Sequence, residues 1–538
     1  MVESIIVVMS YILTKLFYGG ICMNSENLKR PLFLVLNIES HRTPEENLGI
    51  YYLQAALKDE GIDSEYRDLW LENIDSKEFS TSYDFSKTLF VGISGCLSNV
   101  SEVKEFIDLL PKGIPVVVGG YGGTFEYEAL LRIGCEVVMI GEGDKAIIDL
   151  CNYYFGKIDI SDVHNIAYLK NGNVVKNDSY PVVDLNNLNN IHERKYLSQI
   201  IESKATVNVI SSKGCYGSCS FCSISQFYCS YKWREMSIKN IVNILEYLYL
   251  KGARVFKFVD DSFLEGSRDD EWCKQFFEAI CRSQIIDSIL FRISIRADQV
   301  TDERIKFLAE SGLFAVSCGI ENGSQSFLKR IGKKASFLDN NRALAIFERY
   351  NIFVQAGFML FDDKTTMQEL YENLKFFKEH REIIIKGIFS ETYAAEGTIF
   401  GKYIKRKYKE STFKINGNYQ YPILDPSAQK VYLILKMYQK KNSALYDKLI
   451  DPISAPKALD NKEKYFQFYD LYKVVHEIDI DFFEKVLSKI DEIEDSEIFV
   501  DKFILEKKKD FGIINAAVDK LYRDNQMIFT GVVSKFLE

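Results

Sequence analysis

Between residues 31 and about 170, short runs of aliphatic and β-branched residues alternate with stretches whose apolar positions recur every three to four residues. LFLVLN (32–37), LFVGIS (89–94), PVVVGG (115–120) and EVVMIG (136–141) are apolar but for a terminal Asn37, Ser94 or Glu136. Helical spacing occupies about 46–60, 99–110, 124–132 and 143–155. Strands with no polar face need cover on both sides, so the pattern predicts an α/β domain on a doubly wound parallel sheet. The polar, Asn-rich stretch 171–191 reads as a connector. A second series begins at Thr206 with TVNVIS (206–211), VFKFVD (255–260), ILFRISI (289–295), FAVSCGI (314–320), IFVQAGFML (352–360) and IIIKGIF (383–389). Among its helices the one over 237–250 is clearest, because Ile238, Ile241, Val242, Leu245 and Leu248 share a face. Six such units predict a partial (β/α)6 barrel, a scaffold that presents ligands at the C-terminal ends of its strands. The remainder is mostly helical in pattern. The expected division is an N-terminal extension over 1–29, a Rossmann-type domain over 30–190, the partial barrel over 191–405 and a helical C-terminal domain over 406–538.

Composition narrows the classes. At 538 residues, three to four domains of about 150 are expected. A hydrophobic content of 47% supplies several cores and excludes disorder as a description of the chain. The net charge of −9 speaks against a binder that neutralises nucleic-acid phosphates. The apolar segment 4–23 is interrupted by Lys15, Gly19 and Gly20, and Met23 precedes a polar run. It reads as an extension ahead of a start at Met23, with a signal-like or membrane-surface segment as the alternative. A cytoplasmic protein without an integral membrane span is expected.

Chemistry concentrates in SSKGCYGSCSFCSISQF, where Cys215, Cys219 and Cys222 stand at C-x3-C-x2-C spacing after the first barrel strand. Eleven cysteines are too few for a disulfide scaffold of this size, and the other eight read as scattered small hydrophobes. Three thiolates on a Gly-containing loop suit three irons of a [4Fe–4S] cluster, leaving the fourth iron open, whereas such clusters ordinarily take four cysteines. A zinc site completed by Cys229 is the alternative. The segment resembles the radical S-adenosylmethionine (SAM) superfamily, whose signature has this spacing and an aromatic residue before the third cysteine, here Phe221. The resemblance implies that SAM chelates the open iron and that an electron from the cluster releases a 5′-deoxyadenosyl radical. It also implies an electron donor such as flavodoxin or ferredoxin. Asp260 and Asp261 of FVDDSF, Arg296 of FRISIRADQ, Glu321 of SCGIENGS, and Lys333 with its neighbour Lys334 fall where the family binds SAM.

Upstream, PVVVGGYGGTFEYEALL and VVMIGEGDKAIIDL resemble the cobalamin-binding domain that precedes many such barrels. Gly119, Gly120 and Thr124 at one turn, and Gly141, Glu142 and Gly143 at the next, are the implied nucleotide-tail residues. The family's D-x-H-x-x-G loop is absent; the corresponding stretch GCLSNVSE offers Ser98 and Asn99. Cobalamin bound without a protein histidine is therefore expected. Together these marks lead us to expect a cobalamin-dependent radical SAM enzyme that methylates an unactivated carbon of a small-molecule, lipid or peptide substrate. Non-methylating radical chemistry with the same cofactors (cyclisation, ring contraction or oxidation) and a non-enzymatic corrin or metal sensor are the alternatives.

Overall fold

The computed structural model describes residues 29–525 except 38–45, 96–99, 189–190, 192, 204–205, 229–232, 284, 386–389, 409–413, 416 and 455–461. Seven strands form the first sheet: β1 (Arg30–Val35), β2 (Glu65–Asp68), β3 (Thr88–Ser94), β4 (Val116–Gly119), β5 (Val137–Met139), β6 (Ile166–Lys170) and β7 (Asn173–Lys176). Their order is β2-β1-β3-β4-β5-β6-β7, with the first five parallel. Separate apolar clusters cover the two faces. One gathers Leu48, Ile50, Ala146 and Ile147; the other gathers Val103, Phe106, Leu130 and Leu131. The doubly wound expectation therefore holds, and the chain order reverses between β1 and β3, where such sheets open a ligand crevice.

Two elements differ from the expectation. β2 is an edge strand with only alternate residues buried, so it lacks the apolar run that marks its neighbours. The end of the first series and the start of the expected connector form an antiparallel hairpin, β6–β7. Its turn is Asn171-Gly172, both at positive φ, the chemistry that suits a two-residue hairpin.

The second sheet contains β8 (Val207–Val209), β11 (Val255–Phe258), β12 (Leu290–Arg296), β13 (Leu313–Glu321) and β14 (Phe353–Phe358), all parallel, in the order β14-β13-β12-β11-β8. A sixth barrel strand is represented among the described residues by isolated parallel bridges, Gln355 to Ile384 and Phe361 to Glu391. Alternation puts Phe291, Ile293 and Ile295 into the helix-covered core. On the opposite face Arg292 Nη2 donates to Ser317 Oγ and Gln355 Oε1, each at 2.8 Å. Between β8 and β11 a short hairpin of β9 (Ser212–Gly214) and β10 (Trp233–Glu235) brackets the cysteine loop. The C-terminal helices Pro426–Ser454, Lys462–Lys489, Ser496–Glu506 and Lys508–Asp524 share one continuous apolar core with the barrel. Phe353 of β14, for example, lies 4.7 Å from Phe466 and 5.0 Å from Tyr469, ring centre to ring centre. Among the described residues no helix is long and apolar enough to cross a membrane.

Candidate active site between the two sheets

Main-chain hydrogen bonds pin the cysteine loop. Ser220 N donates to Ile331 O at 2.8 Å, Phe400 N to Ser220 O at 2.7 Å, and Cys222 N to Cys219 O at 3.1 Å. Gly217 keeps the space between two sulfurs clear: a Cβ there would stand 3.2 Å from Cys215 Sγ and 3.9 Å from Cys219 Sγ. Burial pushes the Cys215 thiol up to about 12, with Glu265 adding to the rise, and Cys222 up to about 11; Cys219 is also raised by burial. Such thiols give up their protons when a cation takes the proton's place. No three His, Cys, Asp or Glu side chains among the described residues converge on one ion. A cluster instead gives each thiolate its own iron, and three sulfurs spread along one pinned loop fit that demand. Cys229 lies outside the described residues.

The acidic groups divide into two roles. Asp260, expected beside SAM, is fully enclosed. It accepts from Ser211 N (2.8 Å), Ser211 Oγ (2.5 Å) and Ser212 Oγ (2.7 Å), with the Arg268 guanidinium 3.6 Å away. The structure makes it a strut for the start of the loop. Asp261 accepts from Gly214 N at 2.8 Å, and burial pushes it up to about 6 against that hydrogen bond. The acid beside Cys215 is Glu265, which the sequence pattern did not single out. Its Oε1 lies 3.2 Å from Cys215 Sγ, and Arg296 Nη1 donates to it at 3.0 Å. Arg296 also pairs with Asp298. Phe221 is packed with Phe327, Leu328, Ile331 and Met359, so it wedges the loop onto the barrel.

Across the mouth, Glu321 and Lys333 form an ion pair at 2.8 Å. Burial opposes the charge on Lys333, but Glu321 and then Cys219 hold its ammonium above the ordinary value. Glu321 sits at φ 65, after a register slip in β13. A left-handed conformation at a non-glycine residue costs about 1–2 kcal/mol and is typical of functional positions. Gly319 leaves the room, because a Cβ there would be 2.6 Å from both Glu321 Oε1 and Lys333 Nζ. Lys334 is exposed.

The first sheet supplies the other wall. A cavity of about 400 Å³ opens at the C-terminal ends of β1, β3, β4 and β5. Its lining combines apolar side chains such as Phe33, Leu53 and Ile147 with Gly92, Gly95, Gly119, Gly120, Gly141 and Gly143. Gly120 has φ +82, and a Cβ on it would meet Gly95 O at 2.9 Å. Thr124 Oγ1 ties the two glycine turns together, donating to Gly120 O and accepting from Gly141 N, each at 2.9 Å. A narrow, glycine-walled apolar slot at a switch point fits the nucleotide tail of a cobalamin. Ser98 and Asn99, expected at its lower face, lie outside the described residues.

Glu142 couples the two halves. Lys213 of β9 reaches it at 3.1 Å and Arg234 of β10 at 2.8 Å. Burial alone would raise the Glu142 carboxyl, but these two cations hold it below the ordinary range. Tyr121, next to the glycine turn, stacks on Phe227, five residues beyond Cys222, at 4.5 Å between ring centres. Burial, and then Asp261 and Cys222, push the Tyr121 hydroxyl up, so this residue of the first domain lies within electrostatic reach of the cysteine loop. Lys213, Arg234, Tyr121 and Phe227 gave no sequence signal, because their partners are distant in the chain.

The family described as B12 binding domain matches residues 35–150, and the radical SAM superfamily matches residues 209–377. The anaerobic magnesium-protoporphyrin IX monomethyl ester cyclase of Cereibacter sphaeroides is 24% identical over 288 residues, 51% of this chain and 46% of the relative. The chain thus spans about half the length of the curated relatives it matches first. The cobalamin-dependent S-adenosylmethionine radical enzyme OxsB, solved with aqua-cobalamin bound, aligns with a TM-score of 0.73 at 17% identity, covering 92% of this chain and 80% of that one. The radical S-adenosylmethionine methyltransferase TsrM from Kitasatospora setae aligns with a TM-score of 0.60 at 16% identity, over 74% of this chain and 80% of that one. These structural likenesses establish the fold.

Proposed function

From the premise that this chain unites a B12-binding domain with a radical SAM domain, we propose that it is a cobalamin-dependent radical SAM enzyme that methylates an unactivated carbon of its substrate. The observation that carries the reading is the juxtaposition of the three-thiol loop with a glycine-walled cavity, joined through Glu142, Lys213 and Arg234. With cluster, SAM and cobalamin bound, such a site has the means to break a carbon–sulfur bond homolytically and to carry a methyl group on cobalt.

The chain's own residues hold and enclose. Cys215, Cys219 and Cys222 present thiolates for three irons, and Glu265 with Arg296 fixes the orientation of Cys215. The Glu321–Lys333 pair offers one anion and one cation at the mouth, complementary to the amino and carboxylate groups of SAM. Gly119, Gly120, Gly141 and Gly143 let the main chain approach the nucleotide tail. The stacked Tyr121 and Phe227 put two aromatic rings where the first domain meets the cysteine loop.

A second reading, the same cofactors without methyl transfer, is favoured by the likeness to the anaerobic magnesium-protoporphyrin IX monomethyl ester cyclase, which extends over 51% of this chain at 24% identity. Anaerobic reconstitution, iron and cobalt counting, and mass analysis of SAM fragments and products test both. The proposal expects 5′-deoxyadenosine, S-adenosylhomocysteine and a product heavier by one methylene unit. Products without added carbon would select the second reading, and absence of SAM cleavage in the cluster-loaded protein would overturn both.

A further inference from the structure

The proposed activity needs an electron delivered to the cysteine loop, and two segments rich in Lys and Arg lie against that loop. Two basic segments flank residues 218–220 and are joined to them through the main chain. On one side, Ile331 of LKRIGKK (328–334) accepts from Ser220 N. On the other, Phe400 N, at the start of the helix Ile399–Lys407, donates to Ser220 O. Gly332 presses so close that a Cβ would stand 3.3 Å from Ser218 O, and both Gly332 and Ser218 are exposed. The loop therefore reaches solvent between two banks of positive charge.

Four of the eight cations in these segments are committed, Arg330 to Asp362 and Glu369 and Lys333 to Glu321 among them. Lys405 and Lys407 are drawn to Glu396 (3.7 Å) and Asp363 (2.8 Å). Lys329, Lys334, Lys402 and Arg406 are exposed, and among the described residues no carboxylate lies within ion-pair distance of them. Lys402 and Arg406 are one turn apart, with Arg406 Nε donating to Lys402 O at 3.3 Å. At about 1.5 Å per residue, Arg406 stands about 9 Å along the helix from its contact with the loop. On a chain of net charge −9, four cations with no ion pair among the described residues, on segments that touch the redox loop, offer an anionic partner a locally positive place to dock.

We propose that Lys329, Lys334, Lys402 and Arg406 form the docking surface for an acidic one-electron carrier protein. The inference rests on the functional reading above. The step it serves is balanced by one electron: the carrier's reduced cofactor loses it and the oxidised cluster on Cys215, Cys219 and Cys222 gains it. No bond forms or breaks, and no proton need move at the docking surface.

The test compares the reconstituted enzyme with its K329E/K402E/R406E variant, using reduced flavodoxin as the probe and dithionite as a small-molecule reductant. Flavodoxin binding to the parent should weaken as ionic strength rises from about 20 mM to about 200 mM. The variant should bind at least tenfold more weakly at low salt. Flavodoxin-driven SAM cleavage at limiting donor should fall by a similar factor, while dithionite-driven cleavage stays within twofold. Equal flavodoxin affinity of parent and variant at low salt would overturn the proposal. If dithionite drives no cleavage in the parent, the functional reading fails instead, and the binding comparison still decides the surface. Should the variant lose iron, K329Q/K402Q/R406Q takes its place in the same comparison, with a smaller but same-signed loss expected.

Discussion

Replacing Asp260 by alanine distinguishes a strut from a ligand. The side chains of Asp260 and Arg268 are both fully shielded from solvent, 3.6 Å apart, and the carboxylate receives three hydrogen bonds from Ser211 and Ser212. Deleting one member of a buried pair costs about 3–5 kcal/mol, because the partner is left buried and uncompensated. Here Arg268 would keep Glu235 at 3.1 Å and the carbonyls of Ser211 and Phe263 at 2.7 and 3.0 Å. The low end, about 3 kcal/mol, is therefore expected, and Asp260→Asn, which keeps the volume and an acceptor, should lose about half as much. Unfolding of so large a chain need not be two-state, so the assay is local: amide hydrogen exchange across 209–214 in the cluster-loaded protein without SAM. A loss of about 3 kcal/mol corresponds to roughly a hundredfold faster exchange at Ser211 wherever opening of this strut is the limiting event. Unchanged protection at Ser211 together with a large drop in SAM affinity would refute the reasoning and return Asp260 to the role expected from its strand-end position.

Three further outcomes are expected. Asp479 is buried, accepts from Tyr438 (2.9 Å) and Tyr446 (2.5 Å), and is pushed by burial up to about 7 from an ordinary 3.8. The folded protein then keeps a proton that the unfolded chain releases, so this group's contribution falls as pH rises from about 4 to about 7, by about 1.4 kcal/mol per unit. Asp479→Asn should accordingly gain on the parent across that window in amide hydrogen-exchange protection of the helix Lys462–Lys489; a difference that stays constant with pH would contradict the assignment. Gly120→Ala places a Cβ 2.9 Å from Gly95 O at positive φ, and hydroxocobalamin titrations should show at least tenfold weaker binding; unchanged affinity would remove this turn from the site. Phe221→Ala, at a half-buried position against Phe327, Leu328, Ile331 and Met359, should cost about 2 kcal/mol and speed loss of iron to a chelator; parental iron retention would mean the wedge is dispensable.

What the sequence alone determined is what short stretches of chain encode. Continuous apolar runs marked β1, β3, β4 and β5, because a strand buried on both faces cannot hide polar residues. The 3.6-residue period marked the helix Ile238–Leu250, which begins one residue from its expected start. The cysteine spacing located the loop, since loop ligands are set by local separation. The C-terminal pattern was legible as helices that close the barrel, and the structure adds that they share one continuous apolar core with it.

Tertiary structure decided everything that depends on which strand lies beside which. Asp260, Asp261 and Glu265 all follow β11 within a few residues, and no local rule says which turns inward beneath Ser211 and which meets Cys215. That choice follows from the path of the chain after β11 and from the Arg268 and Arg296 guanidinia that wait on either side. Glu142 was legible as a turn residue, yet its partners Lys213 and Arg234 lie about 70 and 90 positions downstream. Lys333 and Lys334 were legible as candidate SAM-binding residues, but the cations at 402–407 gave no sequence signal until the fold brought both segments against Ser220. Composition and periodicity report burial and local geometry; convergence of distant side chains on one point is a property of sheet order and domain docking, which the linear pattern does not carry.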